Sequence, residues 1–224
     1  MISVIIPTLN AAPFLARTLA PLVGAVALGL VKQAIVADGG SDDDTIAIAE
    51  AAGCEVIACA RGRGGQMRTG AAAAKADWLF FLHADTSLDD AWVEEAARFI
   101  GGGDQRAAAF TLAFDDDSAG AHWVVFWACV RARLWKLPYG DQGLLISRAL
   151  YDALGGYRDL PLMEDVDIVR RIGARRLSIL RSRAITSAEK YRRDGYNKRA
   201  WRNLVLTARY LLGADPAKLA RLYD

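Results

Sequence analysis

Residues 78–86 are Trp-Leu-Phe-Phe-Leu-His-Ala-Asp-Thr, five large apolar residues followed at once by polar ones. A short apolar run of this kind is typical of a buried strand in a sheet. His83 and Asp85 lie two positions apart, so both point to one side if the strand geometry persists. The segment therefore predicts a buried strand, Trp78–Leu82, that brings an imidazole and a carboxylate to its carboxyl end.

Strand and helix patterns alternate on both sides of this segment. Short apolar runs rich in β-branched residues alternate with segments of helical period, which predicts an α/β fold with a mostly parallel central sheet flanked by helices. The predicted strands are Ile2–Pro7, Gln33–Ala37, Glu55–Ala58, Trp78–Leu82, Ala107–Phe114 and Leu144–Ile146. The predicted helices are Ala12–Val23, Thr45–Ala52, Gln66–Ala74, Asp90–Phe99, Glu164–Ile172 and Lys198–Leu212.

Length and composition favour a single domain over residues 1–224. A chain of 224 residues, 53% of them hydrophobic, can bury one substantial core. Neither a Pro/Ser-rich linker nor an internal repeat divides it into independent units.

The charge of the chain is unevenly distributed. Residues 170–224 carry 15 Lys and Arg against 4 Asp and Glu, and residues 1–169 carry 13 against 22. The formal charges are therefore +11 and −9 within a total of +2. An acidic first part suits a site that holds a cation, and a basic tail suits phosphates or anionic lipid head groups, unless it is only a solvated basic surface. The tail lacks a nucleic-acid-binding motif, so we expect no DNA or RNA partner.

Cysteine usage and the N-terminus bear on the cellular compartment. Cys54, Cys59 and Cys129 are odd in number and include no Cys-x-x-Cys pair, which favours reduced thiols over disulfides or a thiolate zinc site. The chain begins with the strand-like Ser3–Pro7, and no apolar stretch reaches the ~20 residues that a membrane span needs. We expect a cytoplasmic protein, with peripheral contact at a membrane surface as an open alternative.

Two acidic loops are expected at one edge of the sheet. Asp38 follows the second strand and Asp85 the fourth, and open parallel sheets bind ligands beyond the carboxyl ends of their strands. Asp85 offers the hard oxygen ligand that Mg²⁺ or Mn²⁺ prefers. His83 is a second ligand, a substrate contact or a structural histidine. Capping of the helix that begins at Thr45 accounts for Asp42–Asp44.

A segment rich in glycine and arginine, Gly62–Gly70, precedes the third helix. Glycine lets backbone amides approach an anion, and Arg61, Arg63 and Arg68 can neutralise a diphosphate. A solvated surface accounts equally well for Arg61 and Arg63. The segment lacks the Lys-Ser/Thr of a P-loop, and Met67 stands where a dinucleotide-binding turn needs its third glycine. The sequence thus argues against a P-loop NTPase and a Rossmann dehydrogenase.

Two later segments each allow more than one interpretation. Glu164, Asp165 and Asp167 open a helix, where they can complement its dipole, or one can serve as a general base facing the crevice. The helix-forming stretch His122–Trp135 joins aromatic and apolar residues to a basic end. It suits internal packing, a homodimer contact, a membrane interface or a hydrophobic acceptor groove.

In this order and context, the segments resemble GT-A glycosyltransferases of family 2 over about residues 1–172. The matching pieces are Ser3–Asn10, Val36–Asp43, the Gly65–Gly70 helix start, Leu82–Asp85 and Glu164-Asp165. His83-Ala84-Asp85 together with Tyr139-Gly140-Asp141-Gln142-Gly143 is similar to a small bacterial branch, the selenodomain-associated transferases.

The resemblance implies an inverting, metal-dependent transfer of one sugar from a nucleotide-diphosphate sugar, preferably UDP-linked, to an unspecified acceptor hydroxyl. A lipid-linked acceptor is one candidate. By resemblance, Asp85 binds Mn²⁺ or Mg²⁺ with the diphosphate and Asp165 is the catalytic base. The implied nucleotide contacts are Pro7, Thr8, Asp38, Gly65, Arg68 and His83, and the implied acceptor contacts are Tyr139, Asp141, Gln142 and Glu164.

The chain departs from the family pattern at two points. The family usually has Asp-x-Asp where this chain has His83-Ala84-Asp85. Whether His83 makes the ribose or metal contact of the usual first Asp is therefore open. The Gln-x-x-Arg-Trp signature of processive members is absent, because Ala200 separates Arg199 from Trp201. Transfer of a single sugar is therefore expected rather than synthesis of a long polymer.

The resemblance also divides the single domain by role. Residues 1–100 or so would bind the nucleotide, 101–190 would carry the acceptor and catalytic part, and 191–224 would form a basic C-terminal helical segment. Two other functions stay open: a nucleotidyltransferase that makes the nucleotide-sugar, and a non-catalytic nucleotide-sugar-binding protein. The first would release pyrophosphate, and the second would bind donor without hydrolysis or transfer.

Overall fold

Strands and helices alternate through the first half of the chain, as the apolar periodicity predicts. A computed structural model describes residues 1–103 and 105–223. The strands are β1 (Ile2–Thr8), β2 (Val31–Asp38), β3 (Glu55–Ala58), β4 (Trp78–Phe81), β5 (Thr86–Leu88), β6 (Ala107–Phe114), β7 (Leu144–Ser147) and β8 (Leu177–Thr186). The helices are α1 (Ala12–Ala27), α2 (Thr45–Ala51), α3 (Arg63–Ala73), α4 (Trp92–Ile100), α5 (Ala119–Leu134), α6 (Arg148–Ala153), α7 (Glu164–Ile172), α8 (Glu189–Asp194), α9 (Tyr196–Leu211) and α10 (Pro216–Tyr223).

The eight strands form one sheet in the order β3-β2-β1-β4-β7-β6-β8-β5. β1 pairs in parallel with β2 and β4, and β2 pairs in parallel with β3. β7 runs antiparallel to β4 and to β6, whereas β6 and β8 are parallel. The carboxyl ends of β1, β2 and β4 therefore lie at one edge of the sheet, where polar side chains that follow them can meet.

β4 is buried on both faces, which explains its nearly continuous apolar sequence. On one face Phe80 contacts Trp92 and Phe110, at ring-centroid distances of 6.0 and 5.2 Å. On the other face Phe81 contacts Tyr151 and Tyr157, at 5.4 and 4.8 Å. Each fully buried ring of this size stabilises the fold by about 1.5–3 kcal/mol. The residues that follow β4 are therefore attached to a firmly packed strand.

α3 begins at Arg63, three residues before the predicted start at Gln66. Glycines that suggested a loop instead allow close helix packing. A Cβ at Gly64 would clash with the carbonyl oxygen of Arg158, and one at Gly70 would stand 2.5 Å from Ile5 Cγ2. These glycines bring α3 close to β1 and to the segment before α7.

β8 lacks a strong apolar signal because alternate buried positions hold Leu180, Ser182 and Ala184, while Arg181 and Arg183 point to solvent. This strand pairs with both β5 and β6 and carries the chain back to the sheet edge at Thr186. The elements not predicted from the sequence are β5, β8, α6 and the start of α8, whereas α10 lies inside the helical segment expected over 191–224. Among residues 1–103 and 105–223, no helix has both the length and the apolar character needed to cross a membrane.

Candidate active site

Asp38 organises the turn that follows β2. Its Oδ1 accepts hydrogen bonds from the hydroxyls of Thr8 (2.9 Å) and Ser41 (2.5 Å), and its Oδ2 accepts from the amides of Gly40 (2.9 Å) and Ser41 (2.8 Å). Burial favours a higher pKa for Asp38, but these hydrogen bonds together lower its pKa below the usual value. The carboxylate is therefore ionised and directed into its own turn, with Asp38 only 2% exposed.

A cleft of about 510 Å³ opens beyond the carboxyl ends of β1 and β4. The Gln66 amide supports its floor by donating to the carbonyls of Thr8 (2.7 Å) and Ala37 (2.9 Å), which joins α3 to β1 and β2. We call this cavity the larger cleft. Polar and charged residues on its lining include Thr8, Asn10, Arg61, Arg63, Gln66, His83, Asp85, Glu164, Ser187, Glu189 and Lys190.

A second cavity of about 130 Å³ adjoins the larger cleft. The two share the side chains of Arg63, His83, Asp85, Glu164 and Lys190, so one continuous depression runs across the sheet edge. We call this second cavity the inner pocket. Its own lining includes Tyr139, Gly140, Asp141, Asp165, Tyr191, Arg199, Asn203 and Thr207.

The first turn of α7 brings two carboxylates to the inner pocket. Met163, just before the helix, has a left-handed backbone with φ of 69°. Glu164 is 2% exposed and pairs with Arg63, whose Nη1 lies 3.1 Å from Glu164 Oε1. Burial raises the pKa of Glu164, and the Arg63 charge opposes that rise. This ion pair links α3 to α7 across the shared wall of the two cavities.

Asp165 is held by two backbone amides. Its Oδ2 accepts from the Gly140 N–H and its Oδ1 from the Val166 N–H, both at 2.7 Å. An ionised carboxylate has about four lone-pair sites, so both oxygens can still accept a proton or a further hydrogen bond. Asp165 is partly exposed within the inner pocket, which leaves it within reach of a bound molecule.

His83 lies against Gly140 at the boundary of the two cavities. A Cβ on Gly140 would stand 2.7 Å from His83 Nε2 and 3.4 Å from Asp165 Cβ, so only glycine leaves the imidazole its present place. Burial and the nearby Arg63 charge lower the pKa of His83 to about 4. The ring is therefore neutral near pH 7 and can donate one hydrogen bond and accept another, or ligate a metal.

Asp85 follows β4 and faces α8. Lys190 Nζ lies 3.7 Å from Asp85 Oδ2, and the Asp85 carbonyl accepts a 3.0 Å hydrogen bond from Ser187 N–H. Within residues 1–103 and 105–223, no group of three or more His, Cys, Asp or Glu side chains is placed to hold a metal ion. Asp85 and neutral His83 supply ligand types that suit a divalent cation, and the remaining ligands would have to come from a substrate's phosphates or from water.

Tyr139 is fixed between two helices. The Arg131 guanidinium stacks over its ring at 3.4 Å, and its hydroxyl lies 2.7 Å from Thr207 Oγ1. The two residues after Gly140 point to different places. Asp141 lines the inner pocket, whereas Gln142 is buried and its amide donates to the Phe110 carbonyl at 2.8 Å.

The Asp141 carboxyl is desolvated and incompletely paired. Its Oδ1 is buried and has no hydrogen-bond partner among the described residues. Burial raises the pKa of Asp141 to about 6, and the charges of Asp165 and Asp85 add to that rise against the effect of Arg131. A carboxyl that titrates near neutral pH is thus present in the inner pocket, which is frequent at functional sites.

The structure brings eight of the twelve predicted site residues to the two cavities: Pro7, Thr8, His83, Asp85, Tyr139, Asp141, Glu164 and Asp165. The other four lie behind or beside them. Asp38 and Gln142 are buried in local hydrogen bonds, Gly65 faces Asp159, and Arg68 is exposed on α3. The role of each residue remains a prediction.

The C-terminal part supplies pocket residues that the sequence did not indicate. Arg199, Asn203 and Thr207 recur every four residues on α9, so they share the helix face that lines the inner pocket. Arg199 is 6% exposed and pairs with Asp194 at 2.6 Å. This polar spacing was a detectable signal, but the surrounding run of Lys and Arg suggested a solvated surface.

A comparison with protein-family models matches residues 3–156 to "Glycosyl transferase family 2". The chain belongs to this family. The match spans more than half the chain. It covers the strands from β1 to β7, including β1 and β4, whose carboxyl ends border the larger cleft. Curated protein sequences give no match.

Solved structures of two other proteins share the fold seen here. S. aureus TarS, residues 1–349 in complex with UDP, has a TM-score of 0.65 and 16% identity, over 99% of this chain and 70% of its own. Glucosyl-3-phosphoglycerate synthase from Mycobacterium tuberculosis, in complex with Mn²⁺ and UDP-glucose, has a TM-score of 0.63 and 19% identity, over 94% and 78%. At these identities the likeness establishes the fold. It confirms the predicted GT-A α/β domain with its mostly parallel sheet.

Proposed function

We propose that this family 2 protein is an inverting glycosyltransferase that moves one sugar from a UDP-sugar to an acceptor hydroxyl. The continuity of the two cavities supports this most directly. The larger cleft, at about 510 Å³, falls within the roughly 300–1,000 Å³ of small-molecule sites. It shares His83, Asp85 and Glu164 with the inner pocket that holds Asp165. A donor bound in the larger cleft would direct its sugar toward the inner pocket.

The donor assignment rests on the charges and hydrogen-bonding groups of the larger cleft. Arg61, Arg63 and Lys190 supply cations for a diphosphate, and Thr8 lies where β1 ends. Uridine is proposed because TarS and the mycobacterial synthase were solved with UDP or UDP-glucose. Asp38 would contribute by holding the Thr8 hydroxyl and the turn through Ser41, since its carboxylate is already fully hydrogen-bonded.

Asp85, with His83 beside it, would hold a divalent cation together with the diphosphate. The mycobacterial synthase was solved with Mn²⁺, which supports the same metal class here. Such a cation, when bound, offsets the negative charge that develops on the leaving diphosphate. Lys190, which now contacts Asp85, would remain near the phosphates as a second positive charge.

Asp165 would act as the general base. The acceptor oxygen forms a bond to the anomeric carbon as its proton passes to an Asp165 oxygen, and the bond from that carbon to the diphosphate oxygen breaks. The electron pair leaves with the nucleoside diphosphate, and attack from the opposite face inverts the configuration. The amides of Gly140 and Val166 fix the carboxylate for this transfer.

Tyr139, Asp141 and Glu164 would shape the acceptor side of the inner pocket. Asp141 offers the unpaired Oδ1 that a sugar or acceptor hydroxyl can satisfy. Gln142 would act indirectly by supporting the Tyr139–Gly143 turn. The narrower resemblance to the selenodomain-associated branch stays a prediction that rests on this turn and on His83-Ala84-Asp85.

The decisive experiment compares Asp165→Asn with Asp152→Asn, a matched change at an exposed carboxylate outside both cavities. Donor binding is measured by calorimetry over a panel of nucleotide-sugars, with Mn²⁺ and with chelator, and transfer is measured with the best donor. We expect Asp165→Asn to bind donor normally but to lose about 100-fold or more in transfer. Near-normal transfer by Asp165→Asn would refute its role as base.

The same panel tests the donor and the metal. Donor affinity that is unchanged by chelator would count against Asp85 as the anchor of a metal–diphosphate. Release of pyrophosphate from a nucleoside triphosphate would favour a nucleotidyltransferase. Donor binding without hydrolysis, and without transfer to any acceptor in a broad glycan and lipid panel, would favour a non-catalytic binding protein.

A further inference from the structure

Three aromatic rings cluster on the exposed face of α5. Trp123, Phe126 and Trp127 are 49%, 59% and 50% exposed, and the Trp127 ring centroid lies 6.4 Å from that of Trp123 and 5.4 Å from that of Phe126. The core contacts of α5 are made by its other face, through Ala121 and Val124. The rings thus lie outside the buried core, and a contiguous exposed apolar patch of this kind marks an interaction site.

α9 continues this surface beside α5. A Cβ on Gly120 would meet the Tyr196 ring at 2.8 Å, so the two helices begin in close contact. Further along, Arg131 stacks on Tyr139, whose hydroxyl bonds Thr207. The helices therefore run side by side in the same direction.

The outer face of α9 is also apolar. Trp201, Leu204 and Leu212 are 67%, 47% and 88% exposed. Trp201 and Leu204 are three residues apart and share one side of α9, and Leu212 directly follows the last residue of that helix. We call the combined surface the α5–α9 face and define its apolar part as Trp123, Phe126, Trp127, Trp201, Leu204 and Leu212.

The charged residues of both helices are exclusively basic. Neither α5 nor α9 contains an Asp or Glu. Arg133, Lys198 and Arg209 are exposed, and none forms an ion pair with a residue of the described chain. Exposed apolar rings interspersed with uncompensated cations match an anionic lipid surface, which takes apolar side chains at its boundary and attracts cations at its head groups.

We propose that the α5–α9 face binds the surface of an anionic membrane. The tryptophan, phenylalanine and leucine side chains would enter the interfacial region, and the basic side chains would contact lipid phosphates. A second copy of the chain fits less well, because a symmetric contact would place two uncompensated basic surfaces together. This inference does not depend on the proposed catalytic function.

The opposite face of α9 lines the inner pocket through Arg199, Asn203 and Thr207. Membrane contact would therefore place that pocket about one helix diameter, roughly 10 Å, from the lipid surface. If the proposed function holds, this position favours an acceptor at the interface.

The test measures co-sedimentation of the full chain with vesicles of phosphatidylcholine alone or mixed with phosphatidylglycerol, at low and high salt. We expect binding to the anionic vesicles that weakens with salt. We also expect a blue shift of tryptophan fluorescence on binding. Either W123S/W127S or R133E/K198E should weaken partitioning by about tenfold or more.

The matched control is V23S/L28S, which changes two exposed apolar residues of the α1 region, 69% and 75% exposed, and should leave vesicle binding unchanged. Circular dichroism and thermal unfolding verify that each variant is folded. The proposal is overturned if anionic vesicles bind no protein at low salt, or if the variants bind as the parent does. A dimer that W123S/W127S abolishes, without vesicle binding by the parent, would assign the face to self-association instead.

Discussion

Gly140 is the residue on which the positions of His83 and Asp165 both depend. Its amide bonds Asp165, and the absence of a side chain leaves room for the imidazole. Because a methyl group there would stand within 2.7–2.8 Å of the His83 ring, we expect Gly140→Ala to displace that ring. Small displacements of groups that position a substrate lower the reaction rate steeply. The rate of sugar transfer should therefore fall on the order of 10- to 100-fold.

Gly24→Ala is the control for this substitution. Gly24 lies inside α1, and apart from its chain neighbours and the helix's own backbone no atom of the described residues lies within 4 Å of the place that a Cβ would take, so alanine should leave activity unchanged. It should raise the free energy of unfolding by about 0.5–1 kcal/mol, since alanine is the better helix former. Equal transfer rates for Gly140→Ala and Gly24→Ala would show that the His83 position is unimportant.

Asp141 provides a pH-dependent test of the inner pocket. Its pKa rises from the usual 3.8 to about 6, so the folded protein binds the proton more tightly than the unfolded chain. Stability should therefore fall as pH rises from about 4 to 6, because the carboxyl must ionise in a desolvated place. Asp141→Asn removes that cost and should raise the free energy of unfolding above pH 6 by on the order of 1–3 kcal/mol.

Urea denaturation of the parent and of Asp141→Asn measures this effect on both sides of the titration. The difference between the two proteins should be large near about pH 7.5 and small near about pH 4, where Asp141 is largely protonated in the folded protein. A difference that is independent of pH would mean that packing, and not ionisation, distinguishes the two side chains.

Single residues at the ends of strands or at the start of a helix were the most predictable part of the candidate site. His83, Asp85 and Asp165 follow clear local patterns, and the fold brings them together because β4 and α7 end and begin at the same sheet edge. Lys190 and Arg199 could not be assigned in the same way. Their position depends on how the C-terminal helices fold back over the pocket, which local sequence does not encode.

At the scale of elements, the contact of α3 with β1 controls the floor of the larger cleft. Gly70 allows the close approach, and a Cβ there would stand 2.5 Å from Ile5 Cγ2. We expect Gly70→Ala to destabilise the protein by about 1–3 kcal/mol, as overpacking does in well-packed cores. Denaturant unfolding measures the change.

A double-mutant cycle identifies the cause. If the Ile5 contact is responsible, the penalty of Gly70→Ala should largely disappear in an Ile5→Ala background, because the crowded methyl group is gone. An equal penalty in both backgrounds would assign the effect to the backbone of α3 instead.

Elements with strong periodicity were predictable, and those whose burial is mixed were not. β4 and α7 match their predicted spans within one residue, because β4 is uniformly buried and α7 has a clear apolar face. β8 was not predicted, because its buried side includes serine and alanine and so gives no strong apolar pattern. α3 begins earlier than predicted because glycine, which usually indicates a loop, here permits close packing within a helix.

For the whole molecule, the alternating pattern predicted the parallel part of the sheet but not its antiparallel junction. β7 enters between β4 and β6 and reverses the strand direction there, a pairing between segments about 65 residues apart in the case of β4. The predicted division into parts at about 1–100 and 101–190 stays a prediction. Lys190 and Tyr223, which lie at and beyond its second boundary, both line the larger cleft.

This arrangement makes the larger cleft a junction of distant parts of the chain. Thr8 comes from β1, Arg63 from α3, Glu164 from α7 and Lys190 from α8, so a bound donor would connect them all. A ligand that binds only the folded state stabilises it by about 2.7 kcal/mol at 100 times its Kd. For a chain of this length, that corresponds to a rise in Tm of roughly 5–10 °C.

We therefore expect UDP-sugar with Mn²⁺ to raise the Tm by about this amount in a thermal-shift experiment. Uridine alone should raise it less, because it leaves Asp85, Lys190 and the phosphate contacts unused. Asp85→Asn should lose most of the gain with UDP-sugar while keeping the smaller gain with uridine. If Asp85→Asn were stabilised as much as the parent by UDP-sugar and Mn²⁺, the diphosphate would have to be held by Arg63 and Lys190 without help from Asp85.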